Sequence, residues 1–314
     1  MHDIHSDFSK SCSKVIALSG NPNVGKSTLF NGMTGMKQHT GNWPGKTVAK
    51  ASGFFTYKNS SFTLIDLPGT YSLLSHSPEE EIARDFLLFQ KPDIVVVVCD
   101  ATCLMRNLNL LLQTVEIHPN VIACVNLMDE AGKKDISVNL KTLSSLLQIP
   151  VIGTSAQKNK GLNALMETIY RLSEQPKPVF PSYMNPIPYP KKLCEQISNL
   201  ESLLDNYAPA NINTRWLALR LLAKDSSIIK SLKNNLDFDI ADYPEISEEI
   251  LALTHIFNEE HTDIEAIITS CILKKSNDLY TQSVVLNNPQ YYQRDLKIDK
   301  VLTSPLSGIP IRCV

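Results

Sequence analysis

The stretch GNPNVGKS, residues 20–27, constrains this chain more than any other. It follows the β-branched run KVIALSG (14–20) and opens a helical pattern from Ser27 to Met33. A Gly-x-x-x-x-Gly-Lys-Ser loop between a strand and a helix turns successive backbone N–H groups, and the helix N-terminus, onto one point. Phosphate oxygens fit that point. Gly20 and Gly25 let the backbone wrap tightly around Asn21, Pro22, Asn23 and Val24. Lys26 is then expected to reach the β- and γ-phosphates, and the Ser27 hydroxyl to ligate Mg²⁺.

A loop of this kind needs a sheet behind it. The runs FTLIDLPG (62–69), DIVVVVCDA (93–101), VIACVN (121–126) and VIGTSA (151–156) read as further strands. The near-continuous apolar stretch Ile94–Val98 suits a parallel strand buried on both faces. Helical patterns at Glu79–Phe89, Asn107–Glu116, Leu140–Leu147 and Gly161–Leu172 alternate with them. The expected fold is α/β: a doubly wound P-loop domain with a mostly parallel sheet over residues 13–175, after a tail at 1–12, with its ligand at the strands' carboxyl ends. Six prolines between Pro176 and Pro190 rule out regular helix and read as a linker, 176–190. Beyond it, Leu193, Ile197, Leu200 and Leu204 recur at helical spacing, as do Ile264, Ile267, Ile268 and Cys271. Residues 191–285 therefore read as a small all-α domain, in which Asn213 or Thr214 caps a helix that buries Trp216 and Leu219. Residues 286–314 form a tail.

The strand ends carry polar motifs in a fixed order. Asp66, in Asp66-Leu67-Pro68-Gly69, is placed to hold the Mg²⁺ shell through water, and the Gly69 N–H to contact a γ-phosphate. In Asn126-Leu127-Met128-Asp129, the asparagine and above all the carboxylate suit the polar edge of guanine. Adenine would set an acceptor against that carboxylate. Thr154-Ser155-Ala156 offers a hydroxyl and an N–H near the guanine carbonyl. Between these lies HTGNWPGKTV (39–48). There Thr47 is expected to complete the Mg²⁺ shell and sense the γ-phosphate, with Gly45 and Lys46 beside it and Thr40 the alternative. The ligand implied is GTP with Mg²⁺.

Thr70 poses the catalytic question. It follows the Pro-Gly pair where a water-orienting glutamine often stands, and it cannot act in the same way. Leu127 replaces a lysine common in this base motif, which implies modest affinity and rapid GDP release. Glu79 and Glu80 read as helix N-terminal charges.

Composition narrows the functional classes. Lys and Arg number 30 against 32 Asp and Glu, for a net charge of −2, which argues against a nucleic-acid partner. No apolar run of about 18 residues exists to span a bilayer, and the N-terminus lacks a signal-peptide core, so a cytoplasmic location is expected. Cys12, Cys99, Cys103, Cys124, Cys194, Cys271 and Cys313 form no C-x-x-C pair and read as reduced thiols.

Taken together, GNPNVGKSTLFN, GNWPGKTV, DLPGTYSL, NLMD and TSA resemble the ferrous iron transport protein B family, the GTPase-containing bacterial iron(II) transporters. GNWPG is the most specific part. RWLALRLL (215–222) is similar to that family's helical domain, described as resembling a GDP-dissociation inhibitor. LKIDKVLTSPLSGIPI (296–311) resembles the lead into its first transmembrane helix. The resemblance implies an enzyme that lacks the glutamine and whose hydrolysis is stimulated by K⁺. The ion is held partly by a phosphate-loop asparagine, matched here by Asn23, and by the first-switch backbone. Asn23, Lys26, Thr47 and Gly69 are then the catalytic set. The resemblance also implies a membrane permease as partner, either continuing this chain or separate from it, at the cytoplasmic face of the membrane. Homo-oligomerisation is compatible with it. Two other readings stay open: a GTPase of ribosome or RNA maturation, and a non-catalytic nucleotide-dependent interaction module.

Overall fold

The apolar strand runs assemble edge to edge around the phosphate-loop strand. In the computed structural model, residues 13–35, 38–43, 48–74, 77–175, 187–209, 212–258 and 263–287 are described. The strands are β1 (Lys14–Gly20), β2 (Gln38–Asn42), β3 (Ala49–Tyr57), β4 (Ser60–Asp66), β5 (Ile94–Asp100), β6 (Val121–Asn126), β7 (Ile136–Val138) and β8 (Val151–Gly153). Seven form one sheet in the order β2-β3-β4-β1-β5-β6-β8. From β4 to β8 every pairing is parallel; β2 and β3 extend the sheet antiparallel.

The helices of this part are α1 (Lys26–Thr34), α2 (Pro78–Asp85), α3 (Leu104–Ile117), α4 (Met128–Lys133), α5 (Leu140–Leu147) and α6 (Leu162–Ser173). They cover both faces of the sheet. Ile16, Leu18, Leu64, Val96 and Val98 face α1 and α6, while Ala17, Ile65, Val95 and Val97 face α2 and α3. That alternation is the two-residue period of a strand with both sides buried.

The sequence reading missed β2 and β3. β2 is QHTGN, polar and glycine-containing, and takes strand geometry only by pairing with β3. β3 turns into β4 through Lys58-Asn59, both at positive φ (46° and 65°), the two-residue turn that suits the right-handed twist of a hairpin. The helix expected over 79–89 is regular only to Asp85, and Phe86–Gln90 continue it as a π-helical turn. Ser77 caps it, accepting from Glu80 N at 3.2 Å.

Past Ile187 the chain forms α7 (Lys191–Leu204), α8 (Thr214–Leu222), α9 (Ser226–Leu236), α10 (Pro244–Asn258) and α11 (Ile264–Ser283). The α8 cap is Asn213, whose side chain accepts from Trp216 N at 3.0 Å; Trp216 and Leu219 are buried as expected. The all-helix reading of 191–285 needs one correction. Val284–Leu286 form β9, antiparallel to β7, with Val138 opposite Val284 and Ile136 opposite Leu286. Three β-branched or apolar residues after a long helix carry no period of their own, so only the partner strand reveals them. Through this pairing, and through α11 packing on α3 and α5, the C-terminal helices share one continuous apolar core with the α2/α3 face of the sheet.

Glu116 lies half-buried at the edge of that shared core. Its carboxylate accepts from the Tyr189 hydroxyl at 3.1 Å, and its backbone carbonyl from the Asn213 amide at 2.8 Å. Burial pushes its carboxyl up to about 7 against the pull of Tyr189 and of Arg215 and Arg220. Between the ordinary glutamate range and that value, the folded protein keeps a proton that the unfolded chain has released. Unfolding free energy therefore falls as pH rises through this window and levels off above it, by about 3 kcal/mol. Glu116→Gln is expected to flatten that slope and to raise stability at pH 8, as read by urea unfolding at pH 5 to 8.

Candidate nucleotide site

The phosphate loop hangs between β1 and α1. Asn23 and Gly25 both take positive φ (65° and 81°), so the loop's N–H groups turn inward as the pattern requires. Gly25 is needed for a second reason: a Cβ there would lie 2.4 Å from Asn126 Nδ2. That amide crosses the site to donate to Val24 O at 3.0 Å. Asn21 and Val24 are buried, whereas Pro22, Asn23 and Ser27 face solvent. Among the described residues the Asn23 amide makes no hydrogen bond.

Lys26 reaches across to the end of β4. Its ammonium pairs with the Asp66 carboxylate and donates to Leu67 O at 2.5 Å. Burial raises the Asp66 carboxyl above its usual range, with Lys26 pulling the other way. The expected phosphate-binding cation and the expected Mg²⁺ carboxylate thus lie in contact, next to Ser27. A hydroxyl and a carboxylate are the hard oxygen donors that Mg²⁺ takes, usually with several waters and few protein ligands.

Gly69 runs against the loop so closely that a Cβ would sit 3.2 Å from Pro22 Cα, and Thr70 N donates to Gly20 O at 3.2 Å. Pro68 is half-buried between them. The Thr70 side chain turns inward. It is 2% exposed, and among the described residues its hydroxyl has no partner, like both amide atoms of neighbouring Asn21. Gly45, Lys46 and Thr47 lie outside the described residues. Thr40, the alternative, is an exposed residue of β2. Trp43 is buried, edge-on to Phe86 at 5.5 Å between ring centres.

The base loops meet at the ends of β6 and β8. Asn126 is 1% exposed, and its carbonyl oxygen accepts from Thr154 Oγ1 at 3.0 Å and Ala156 N at 3.1 Å. It ties the phosphate loop to both base loops. Leu127 sits at φ 61° as the cap of α4, which places Met128 and Asp129 in the first turn. Asp129 N donates to the Ser155 hydroxyl at 3.2 Å, and the Asp129 carboxylate pairs with Lys158 at 2.7 Å.

Sequence reading missed three participants. Lys158 lies just past the TSA motif with nothing local to link it to Asp129. Gln113, on α3, accepts from Leu73 N at 2.7 Å and so holds the segment after Thr70. Glu80, read as a helix-end charge, is buried and accepts from the Ser72 hydroxyl at 3.0 Å. Among the described residues no group of three or more His, Cys, Asp or Glu could hold a metal, and no helix is long and apolar enough to cross a membrane.

Comparison with known proteins decides the lineage. The ferrous iron transport protein B family model matches residues 14–169, and the FeoB cytosolic helical domain model matches residues 189–285. The chain belongs to the ferrous iron transport protein B family. It is 37% identical over 220 residues to the Fe(2+) transporter FeoB of Methanocaldococcus jannaschii, covering 70% of this chain and 32% of that protein. It is 32% identical over 318 residues to a Fe(2+) transport protein A/Fe(2+) transporter FeoB fusion protein of Porphyromonas gingivalis, covering 94% and 35%. The chain thus spans about a third of the length of these FeoB relatives. The cytosolic domain of the T. maritima FeoB iron transporter in a GDP form superimposes with a TM-score of 0.72 at 33% identity, covering 87% of this chain and all of that one. The GMPPNP form of the same domain gives 0.72 and 33%. FeoB G domains are a P-loop GTPase family, so the fold and the phosphate loop of this chain are those of its relatives.

Proposed function

We propose that this chain binds GTP with Mg²⁺ and hydrolyses it to GDP and phosphate under K⁺ stimulation, and that its nucleotide state regulates iron(II) passage through a membrane permease. The observation that carries this reading is the convergence of four strand-end motifs on one point. Lys26 and Asp66 touch there beside Ser27, and the Asn23 amide faces outward with no partner among the described residues. Family membership supports the iron-transport part, and the GDP and GMPPNP structures of the T. maritima domain support the choice of nucleotide.

The residues have separable tasks. Lys26 and the loop N–H groups bind and orient the phosphates. Ser27 and Asp66, with Thr47, would hold Mg²⁺, which would supply positive charge to the phosphates. Asn23 would hold K⁺, whose positive charge beside the phosphates acts as an arginine finger does. Gly69, whose Cα lies close against Pro22, would offer its N–H to the γ-phosphate. Nothing in this set asks Thr70 to touch water.

Transmission to the helical part runs through α2. Arg84 is fully buried and donates to Ser227 Oγ at 2.6 Å and Ser231 Oγ at 2.9 Å, both on α9. A segment expected to move with the γ-phosphate is thereby joined to the domain that precedes the permease in the family, at the cytoplasmic face.

GTP turnover with Mg²⁺, compared in KCl and NaCl at equal ionic strength, tests this reading. Turnover at least tenfold faster in KCl is expected. Equal rates remove the K⁺ mechanism, and no turnover in either salt leaves an interaction module whose Thr70 explains its inactivity.

A further inference from the structure

Lys158 has no place in the nucleotide motifs, yet its ammonium lies 2.7 Å from Asp129 Oδ2. Asp129 is the group expected to face the N1 and 2-amino donors of guanine. The loop that carries Lys158 is closed on itself. Ser155 N donates to Lys160 O at 3.0 Å, Lys160 N returns to Ser155 O at 3.3 Å, and Lys158 N donates to Ser155 O at 2.9 Å. Gly161 then passes so near β8 that a Cβ would fall 2.3 Å from Gly153 O. Asn159, at φ 52°, ends the turn. The ammonium is therefore presented by a braced turn rather than by a free chain end.

The base motif supplies the second observation. Its usual lysine position is Leu127, a side chain with no charge to offer. We propose that Lys158 is a positioning residue for guanine: from the neighbouring loop, it supplies the cation that Leu127 omits and holds the Asp129 carboxylate aimed at the base. Ser155 completes the arrangement, its hydroxyl accepting from Asp129 N on the other side. The result is a carboxylate held at about 2, by Lys158 above all and with help from Ser155, against the opposing effect of burial.

An exposed ion pair of this kind adds little to folding. Its value lies in orientation: a carboxylate fixed before the base arrives loses less freedom on binding. This inference deepens the guanine reading above and rests on it.

Displacement of N-methylanthraniloyl-GDP by GDP and by IDP, which lacks the 2-amino group, tests it on the whole chain. Lys158→Met is expected to weaken GDP about tenfold and to narrow the GDP-over-IDP preference, because a loosely held carboxylate gains less from the second donor. Lys158→Arg is expected to restore most of both, and the thermal midpoint without nucleotide to stay unchanged. Unchanged GDP affinity in Lys158→Met overturns the proposal. So does weaker GDP binding with an intact GDP-over-IDP ratio, which would mean a general effect on the loop. So does tighter GDP binding, which would mean that the ammonium competes with the base. Failure of the unmodified chain to bind the fluorescent nucleotide would instead remove the guanine reading itself.

Discussion

Replacing Asn23 with alanine is expected to slow GTP turnover in potassium about a hundredfold while leaving GDP affinity within about threefold. The size follows from what one preorganised charge-stabilising contact contributes in a transition state. The asymmetry follows from geometry. The backbone N–H groups that cradle the phosphates, and Lys26, do not depend on the Asn23 amide, which makes no hydrogen bond among the described residues. Its φ of 65° is also one that asparagine tolerates better than alanine, so Asn23→Gly serves as the control for backbone strain. A variant that loses turnover as alanine but keeps it as glycine would place the effect in the backbone. Loss in both places it in the amide. Single-turnover hydrolysis and stopped-flow GDP release, each in KCl and NaCl, separate chemistry from binding. Full turnover in Asn23→Ala with KCl would remove the ion-binding role.

Arg84→Met is expected to cost about 3–5 kcal/mol of unfolding free energy, the loss typical when one partner of a buried charged network is deleted. Arg84 bonds the neighbouring Asp85 at 2.7 Å and lies 3.8 Å from Asp225. Ser231 meanwhile donates to the second Asp85 oxygen at 2.8 Å. Burial pushes the Asp85 carboxyl up and Arg84 pulls it back, so removing the arginine leaves that carboxylate without its main counter-charge. Asp225 keeps Arg220, 2.9 Å away, and is the less affected of the two. Asp85→Asn combined with Arg84→Met is expected to recover part of the loss, because the orphaned charge goes with it. Urea unfolding measures the energy. Hydrogen exchange over residues 78–90 reports whether α2 loosens from α9, and an α2 that stays protected would separate stability from the transmission proposed above.

The candidate nucleotide site was legible because its motifs encode local backbone chemistry. Gly20, Gly25, Lys26 and Ser27 dictate a loop whose N–H groups converge whatever surrounds it. Asp66 closes one apolar run that had to be a buried strand and Asn126 closes another, which sets the Asp66 carboxylate at a strand end and Asp129 in the helical turn just past one. The core helices were legible for a similar reason, as with Leu193, Ile197, Leu200 and Leu204, all buried on one face of α7. Leu127 and Thr70 stood out as departures without any coordinates.

Other features have no local signature. β2 is polar and becomes a strand because β3 offers unpaired N–H and C=O groups, and β9 becomes one because β7 does. The pairs Lys158–Asp129, Arg84–Ser231 and Gln113–Leu73 join residues 29, 147 and 40 positions apart, so no period or motif couples them. Asn126 reads as a base residue in the sequence, and only the structure adds that its amide also joins the phosphate loop to the Thr154–Ala156 loop. Chain chemistry by itself determined which ligand oxygens and donors this protein can face. Tertiary structure alone decided how the facing groups are braced and which helix of the sheet domain is tied to α9, because a side chain's partner across space is set by packing, and packing is a property of the whole chain.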